Sequence, residues 1–201
     1  MPPMRYLFAT NNQGKMKEIE YIFAEAGLEI ISLAGFGLSH RPEETGTTFE
    51  ENAIIKAKET AAYVKANHPD ENIAVLSDDS GLCIDALGGI PGVDSANFMG
   101  RETPYATRNA NLLGQLQGMP KPKRTARFVC VIACALPSGK IITTRGETAG
   151  IIVPPQGDGG FGYDPIFFSP DYGKTMAQLS QEEKNKISHR GIALREMVAL
   201  L

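Results

Sequence analysis

Apolar residues recur along the chain with two different periods, and the switches between them outline the elements. Residues Arg5–Thr10 are short, apolar and β-prone, as a buried strand is. From Gly14 to Ala26 the apolar positions Met16, Ile19, Ile22, Phe23 and Ala26 fall at helical spacing, with Gly27 as the stop. Leu28–Leu33 reads as a second strand, and a polar, turn-rich loop follows, His40-Arg41-Pro42-Glu43-Glu44-Thr45-Gly46. Thr47 or Thr48, with Glu50 or Glu51 three residues on, forms a capping-box signature. The helix it opens, Phe49–Ala66, carries Phe49, Ala53, Ala57 and Val64 near one face and ends before Pro69. A strand over Ile73–Leu76 is expected to stop at Ser77-Asp78-Asp79-Ser80-Gly81.

Farther along, Gly88–Gly100 is dense in glycine and reads as loop, followed by a helix from Pro104 to Leu116 and a linker over Gly118–Pro122. Arg127–Leu136 and Lys140–Arg145, joined by Pro137-Ser138-Gly139, form a predicted β-hairpin. Gly150–Val153 and Ile166–Phe168 read as further short strands on either side of the glycine-rich Gly157–Pro165 loop. Ser180 with Glu183 caps one more helix, and a last helix covers Arg190–Leu201. The pattern predicts an α/β fold with a mixed central sheet flanked by helices, since a hairpin is incompatible with a purely parallel one. With no repeat, long linker or low-complexity tract, residues 1–201 are expected to form a single domain, with room for two lobes sharing a sheet.

Charge narrows the partners. A formal net charge of -3 leaves no basic footprint for nucleic acid or an anionic membrane, so an anionic ligand must meet a local cluster of positive charge. No apolar run approaches membrane-spanning length, and Met1-Pro2-Pro3-Met4-Arg5 shows no signal-peptide pattern. Cys83, Cys130 and Cys134 lack any C-x-x-C or neighbouring histidine, and read as small buried residues in a reducing cytoplasm.

Five stretches carry candidate chemistry. Phe8-Ala9-Thr10-Asn11-Asn12-Gln13-Gly14-Lys15 runs from a strand into a helix, where unpaired N–H groups and the positive helix end suit a phosphate. Thr10, Asn11 and Asn12 add donors, Gly14 permits close approach, and Lys15 adds charge, although neither the Walker A nor the dinucleotide spacing is present. Asp78 and Asp79 alternate across an extended chain, so one of them faces any given site, and spacing alone leaves open which. Glu43 and Glu44 could join an aspartate in holding magnesium, which commonly takes one or two carboxylates besides substrate phosphates. The Gly157–Pro165 loop offers Phe161 and Tyr163 as faces for a base, or as core plugs. Lys184, His189 and Arg190 could converge on a phosphate or a base carbonyl.

Taken together and in order, FATNNQGK, PEETGTTFEENAIIKA, SDDSGL with IDALGGIPGVDSA, GGFGYDPIF and EEKNKISHRG resemble the inosine triphosphate pyrophosphatase family from Leu7 to about Leu194. Asn11 stands where many members have glycine. The resemblance implies a two-lobed α/β fold with the active-site cleft between the lobes, and Mg2+-dependent hydrolysis of ITP, dITP or XTP to monophosphate and pyrophosphate. It implies a triphosphate loop of Thr10, Asn11, Asn12, Gln13, Gly14 and Lys15, with Lys56 also reaching the phosphates. Glu43 and Asp79 would be the magnesium ligands, Asp79 the general base and Ser80 a substrate contact. Phe161, Gly162, Tyr163, Asp164, Lys184, His189 and Arg190 would recognise the base. A cytoplasmic homodimer with neither nucleic acid nor membrane as partner completes the expectation. A pyrimidine triphosphate pyrophosphatase and a non-catalytic nucleotide sensor are the rival readings.

Overall fold

The computed structural model describes residues 4–39 and 42–201. Met1-Pro2-Pro3 and, from the expected turn-rich loop, His40 and Arg41 lie outside the described residues. Seven strands hydrogen-bond in the order β2-β1-β3-β4-β5-β6-β7. They are β1 (Arg5–Phe8), β2 (Ile30–Ser32), β3 (Ile73–Ile84), β4 (Thr125–Ala135), β5 (Ile141–Ile152), β6 (Phe167–Ser169) and β7 (Lys174–Thr175). Five α-helices accompany them: α1 (Gln13–Glu25), α2 (Phe49–Asn67), α3 (Tyr105–Gln115), α4 (Gln181–Ile187) and α5 (His189–Val198). Strand β1 runs parallel to β2 and β3, whereas β5, β6 and β7 are antiparallel neighbours, so the sheet is mixed as expected.

The chain divides into two compact units. The first comprises Met1–Asp79, Cys130–Gly146 and Arg190–Leu201, and the second Ser80–Val129 and Glu147–His189. In the first unit, side-chain alternation along the strands separates two apolar layers. Tyr6, Phe8, Ala74 and Leu76 join Met16, Ile19, Ile22 and Phe23 of α1 and Ala193, Leu194 and Met197 of α5. Leu7, Ile73 and Val75 turn to the other side, with Val64 of α2 and Leu33. Asn12 caps α1, its side chain accepting from the Lys15 N–H, and Thr48 with Glu51 closes a capping box on α2. In the second unit Leu82, Ile84, Leu112, Phe128, Ile152, Ile166 and Phe167 form the core.

Besides shifts of a few residues at element ends and the short strand β7, which was not expected, three features differ from the sequence reading for a physical reason. Strand β3 does not stop at Ser77 but continues through the acidic run to Ile84. Ser77, Asp78 and Asp79 are buried there because each finds a polar partner, a circumstance that turn propensity does not register. Strand β5 is one continuous element where two were expected, since Gly150 sits inside it. Ala26, expected on the buried stripe, is exposed at the C-cap of α1.

Gly150 is required by close approach. A Cβ there would lie 2.5 Å from the Phe167 ring and 2.6 Å from the Phe168 carbonyl, where β6 pairs with β5. Gly150→Ala is therefore expected to destabilise the protein by about 1–3 kcal/mol through overpacking, measured by urea unfolding.

Candidate active site

The acidic run of β3 divides by alternation. Asp78 points to one side, where the Lys15 ammonium of α1 contacts its two oxygens at 3.0 and 2.8 Å. On the same carboxylate, Nε and Nη2 of Arg190, from α5, donate to Oδ2 at 3.3 Å each. The guanidinium also donates through Nη1 to Glu18 of α1 at 2.6 Å. Asp78, Arg190 and Glu18 are each no more than 2% exposed, so these charges depend on one another. Burial works against the Asp78 carboxylate, but Lys15, Arg190 and Lys56 outweigh it and hold the group well below the usual carboxylate range. Burial likewise opposes the Arg190 charge, and Glu18 and Asp78 more than restore it.

Asp79 points to the other side, toward α2. Its Oδ2 accepts from the Asn52 side-chain amide at 3.2 Å, and its Oδ1 lies 3.4 Å from the Lys56 ammonium. Lys56 also holds Glu44 at 2.7 Å. Asn52 completes the arrangement, because its Oδ1 accepts the Gly46 N–H at 2.8 Å and so ties the acidic loop to the same amide that touches Asp79. Burial raises the Asp79 pKa, with Glu44 and Asp78 adding to the effect against the pull of Lys56 and Lys15. For Lys56 burial favours the neutral amine, but Asp79, Asp78 and Glu44 together overcome it and raise the pKa. Two adjacent aspartates are thus driven in opposite directions: Asp78 is locked as an anion, whereas Asp79 has a raised affinity for a proton.

Thr10–Lys15, the segment expected to bind phosphates, surrounds the start of α1. Thr10 Oγ1 accepts the Asn12 N–H at 3.2 Å, and Asn11, Asn12 and Gln13 are exposed with Gly14 and Lys15 half-buried beside them. Lys17 faces solvent, as its position on the helix predicts. Glu43 is exposed, and the glutamate that meets Lys56 is its neighbour Glu44. Arg190 is sequestered with Glu18 and Asp78 within the first unit.

In the second unit the glycine-rich loop is organised by a buried pair. Lys184 donates to Asp164 at 2.7 Å, both residues being 4% exposed, and Asp164 Oδ2 also accepts the Phe161 N–H at 2.7 Å. The Lys184 ammonium lies 4.4 Å from the centre of the Phe161 ring. Gly160, at φ +67°, leaves the space that Asp164 occupies, where a Cβ would collide with the carboxylate. Tyr163 is buried and donates its hydroxyl proton to the Ser95 carbonyl at 2.8 Å. His189 stacks on Phe128 with ring centres 4.8 Å apart. Ser80 is half-buried at the start of this unit.

Glu18 and Asn52 were missed by sequence reasoning, as was the contact of Glu44 with Lys56. The signal for Asn52 existed: Asn52, Lys56 and Thr60 repeat every four residues within the stripe that buries Phe49, Ala53, Ala57 and Val64. Glu18 stands three residues after Lys15 beside the buried Ile19, which marks it as inward-facing.

Among the described residues no group of three or more histidine, cysteine, aspartate and glutamate side chains could hold a metal ion. On the Asp79 side of β3, Asp79 and Glu44 share the Lys56 ammonium, two carboxylates against one cation, a net charge of −1. This hard-oxygen, slightly anionic set suits a divalent ion that takes part of its shell from water and a phosphorylated ligand.

Asp78→Asn leaves Arg190 and Lys15 short of their shared counter-charge and is expected to cost about 3–5 kcal/mol of stability in denaturant unfolding at neutral pH. The wild-type protein holds this contribution fully above the ordinary aspartate pKa of about 4. Because the folded-state value is depressed, the contribution is lost as the pH falls through it, so the gap between variant and wild type closes in acid.

Comparison with known proteins identifies the family. A model of the Ham1 family matches residues 6–200. The chain is 49% identical over 197 residues to a dITP/XTP pyrophosphatase of an Exiguobacterium species, covering 98% of this chain and 96% of that one. It is 46% identical over 196 residues to the dITP/XTP pyrophosphatase of Bacillus subtilis, covering 97% and 96%. The structure of a HAM1 protein from Coxiella burnetii superposes with a TM-score of 0.85 at 36% identity, covering 98% of each chain. With near-complete coverage by the family model and by relatives of this identity, the chain belongs to the Ham1 family.

Proposed function

We propose that the protein hydrolyses non-standard purine nucleoside triphosphates, ITP, dITP and XTP, to the monophosphate and pyrophosphate. The observation that carries this is Asp79, a buried carboxylate of raised pKa steadied by Asn52 and Lys56, with Lys15 and the start of α1 in the same unit. The names of the related enzymes from Exiguobacterium and Bacillus subtilis support the substrate class.

In the proposed reaction Asp79 accepts a proton from a water molecule. The water oxygen forms a bond to the α-phosphorus, the bond from that phosphorus to the bridging oxygen breaks, and pyrophosphate leaves with the electron pair. The Thr10–Lys15 segment and Lys56 bind the phosphates, Ser80 contacts the substrate, and Lys15 and Lys56 offset charge on the departing group. Asp79 with Glu43, and Glu44 beside it, would hold Mg2+, which when bound supplies charge neutralisation on the phosphate oxygens.

The base is assigned to Phe161, Gly162, Tyr163, Asp164, Lys184 and His189. The resemblance adds Arg190 to this group, and its guanidinium also binds Asp78 and Glu18. A 6-oxo purine accepts a hydrogen bond where adenine presents an amino group, and a buried donor left unpaired costs about 1–3 kcal/mol, enough to reject ATP about 5- to 150-fold. Guanine shares the 6-oxo group, so its exclusion requires a feature at the 2-position. We place the enzyme in the cytoplasm as a homodimer. The compartment reading is supported by three buried thiols, and no described helix is long and apolar enough to cross a membrane.

Incubation of the purified protein with ITP and Mg2+ is expected to yield IMP and pyrophosphate; release of orthophosphate, or a preference for dUTP or a methylated dTTP over dITP, contradicts the proposal. Asp79→Asn should lower kcat by at least about 10²–10⁴-fold. It should not lower the melting temperature, since it removes a buried charge. Chelation by EDTA should abolish turnover and added Mg2+ restore it.

A further inference from the structure

The second unit buries a cation in an unusual way. Arg108, on α3, is 1% exposed, yet among the described residues its guanidinium meets no carboxylate. Nη1 donates to the carbonyls of Ser95 and Ala96 at 3.2 and 2.8 Å, and Nη2 to those of Gly100 and Arg101 at 3.0 Å each. The Tyr105 ring lies against it, 4.6 Å from Cζ to the ring centre, while Nε has no hydrogen-bond partner. The next residue, Asn109, is 5% exposed; its Nδ2 donates to the Gly162 carbonyl at 3.3 Å and its Oδ1 has no partner.

An unpaired buried guanidinium and a half-satisfied amide both reduce stability, and apolar residues on this face of α3 would avoid that cost. What the two side chains accomplish is to tie two loops to one helix. Arg108 gathers four carbonyls of residues 95–101, and the Tyr163 hydroxyl donates to one of the same carbonyls, that of Ser95. Asn109 holds Gly162 directly, and Tyr105 meets the Tyr163 ring edge-on at 5.2 Å. Residues 161–164 are therefore held twice: Asp164, with Lys184 and the Phe161 N–H, fixes the two ends, and α3 side chains hold Gly162 and Tyr163 between them.

We propose that Arg108 and Asn109 are positioning residues that brace the 161–164 loop on α3 and thereby set how strictly the enzyme discriminates among purine bases. The proposal rests on the reading that this loop recognises the base. Neither residue lies in the stretches that carry the family resemblance. A purely structural brace would change stability, whereas a brace for recognition also changes the preference between bases.

The test compares wild type with Asn109→Ala, Arg108→Lys and Arg108→Met, using steady-state kinetics with ITP and ATP and amide hydrogen exchange. Asn109→Ala deletes one hydrogen bond and one already unpartnered oxygen, so it folds even if Arg108→Met does not. It is expected to raise KM for ITP about three- to tenfold, with kcat within about twofold, and to lower the ITP-over-ATP ratio of kcat/KM. Exchange of amides 160–164 should accelerate while that of β1 and β3 stays unchanged. Arg108→Lys, which keeps the charge but not the fork that spans four carbonyls, should be impaired in the same direction. A folded Asn109→Ala variant with wild-type ITP-over-ATP ratio overturns the assignment. A wild-type protein that releases no pyrophosphate from ITP overturns the functional reading instead, and the exchange comparison then decides the brace by itself: unchanged exchange overturns it.

Discussion

Burying charge requires counter-charge, and in the first unit that requirement falls on Asp78. Its carboxylate is shared by Lys15 from α1 and Arg190 from α5, and Arg190 is shared in turn with Glu18. Two helices distant in sequence are thereby held to the middle of one strand. Removing any member exposes the others to an environment where a lone ion is far less stable than in water. The position of Lys15 at the positive end of α1, unfavourable for a free cation, follows from this attachment, since Asp78 supplies the anion that the helix end favours.

From the same constraint comes the difference between two adjacent aspartates. Strand alternation places Asp78 among three cations and Asp79 between an amide and a lysine shared with Glu44. One is an anion under all ordinary conditions; the other is poised to take up a proton. A single residue of register separates the carboxylate locked as an anion from the one with a raised proton affinity. No difference in intrinsic chemistry between the two side chains is needed.

The second unit achieves order differently. Its glycine-rich loop has backbone freedom that would leave an aromatic face undefined, and buried polar contacts remove that freedom. Asp164 receives both the Phe161 N–H and the Lys184 ammonium, and Arg108 gathers the carbonyls of Ser95, Ala96, Gly100 and Arg101. Polar groups here specify one loop conformation, at some cost relative to an apolar core.

Much of this was legible in the chain itself. Helical spacing located α1 and α2, the capping box located Thr48 and Glu51, and the hairpin turn between β4 and β5 announced a mixed sheet. These features depend on neighbours within a few residues, so local sequence contains them. The run Ser77-Asp78-Asp79-Ser80 misled for the same reason: locally it is turn chemistry, and only partners from α1, α2 and α5 let it remain strand. Sequence alone determined that a phosphate-suited loop, paired carboxylates and a glycine-aromatic loop exist in one chain. Tertiary structure decided which carboxylate is locked and which can accept a proton, that Glu44 and Asn52 attend Asp79, and that Arg190 serves a buried network. Those outcomes depend on contacts between residues up to 172 positions apart, whose charges are felt only once folding has brought them together and removed the water between them.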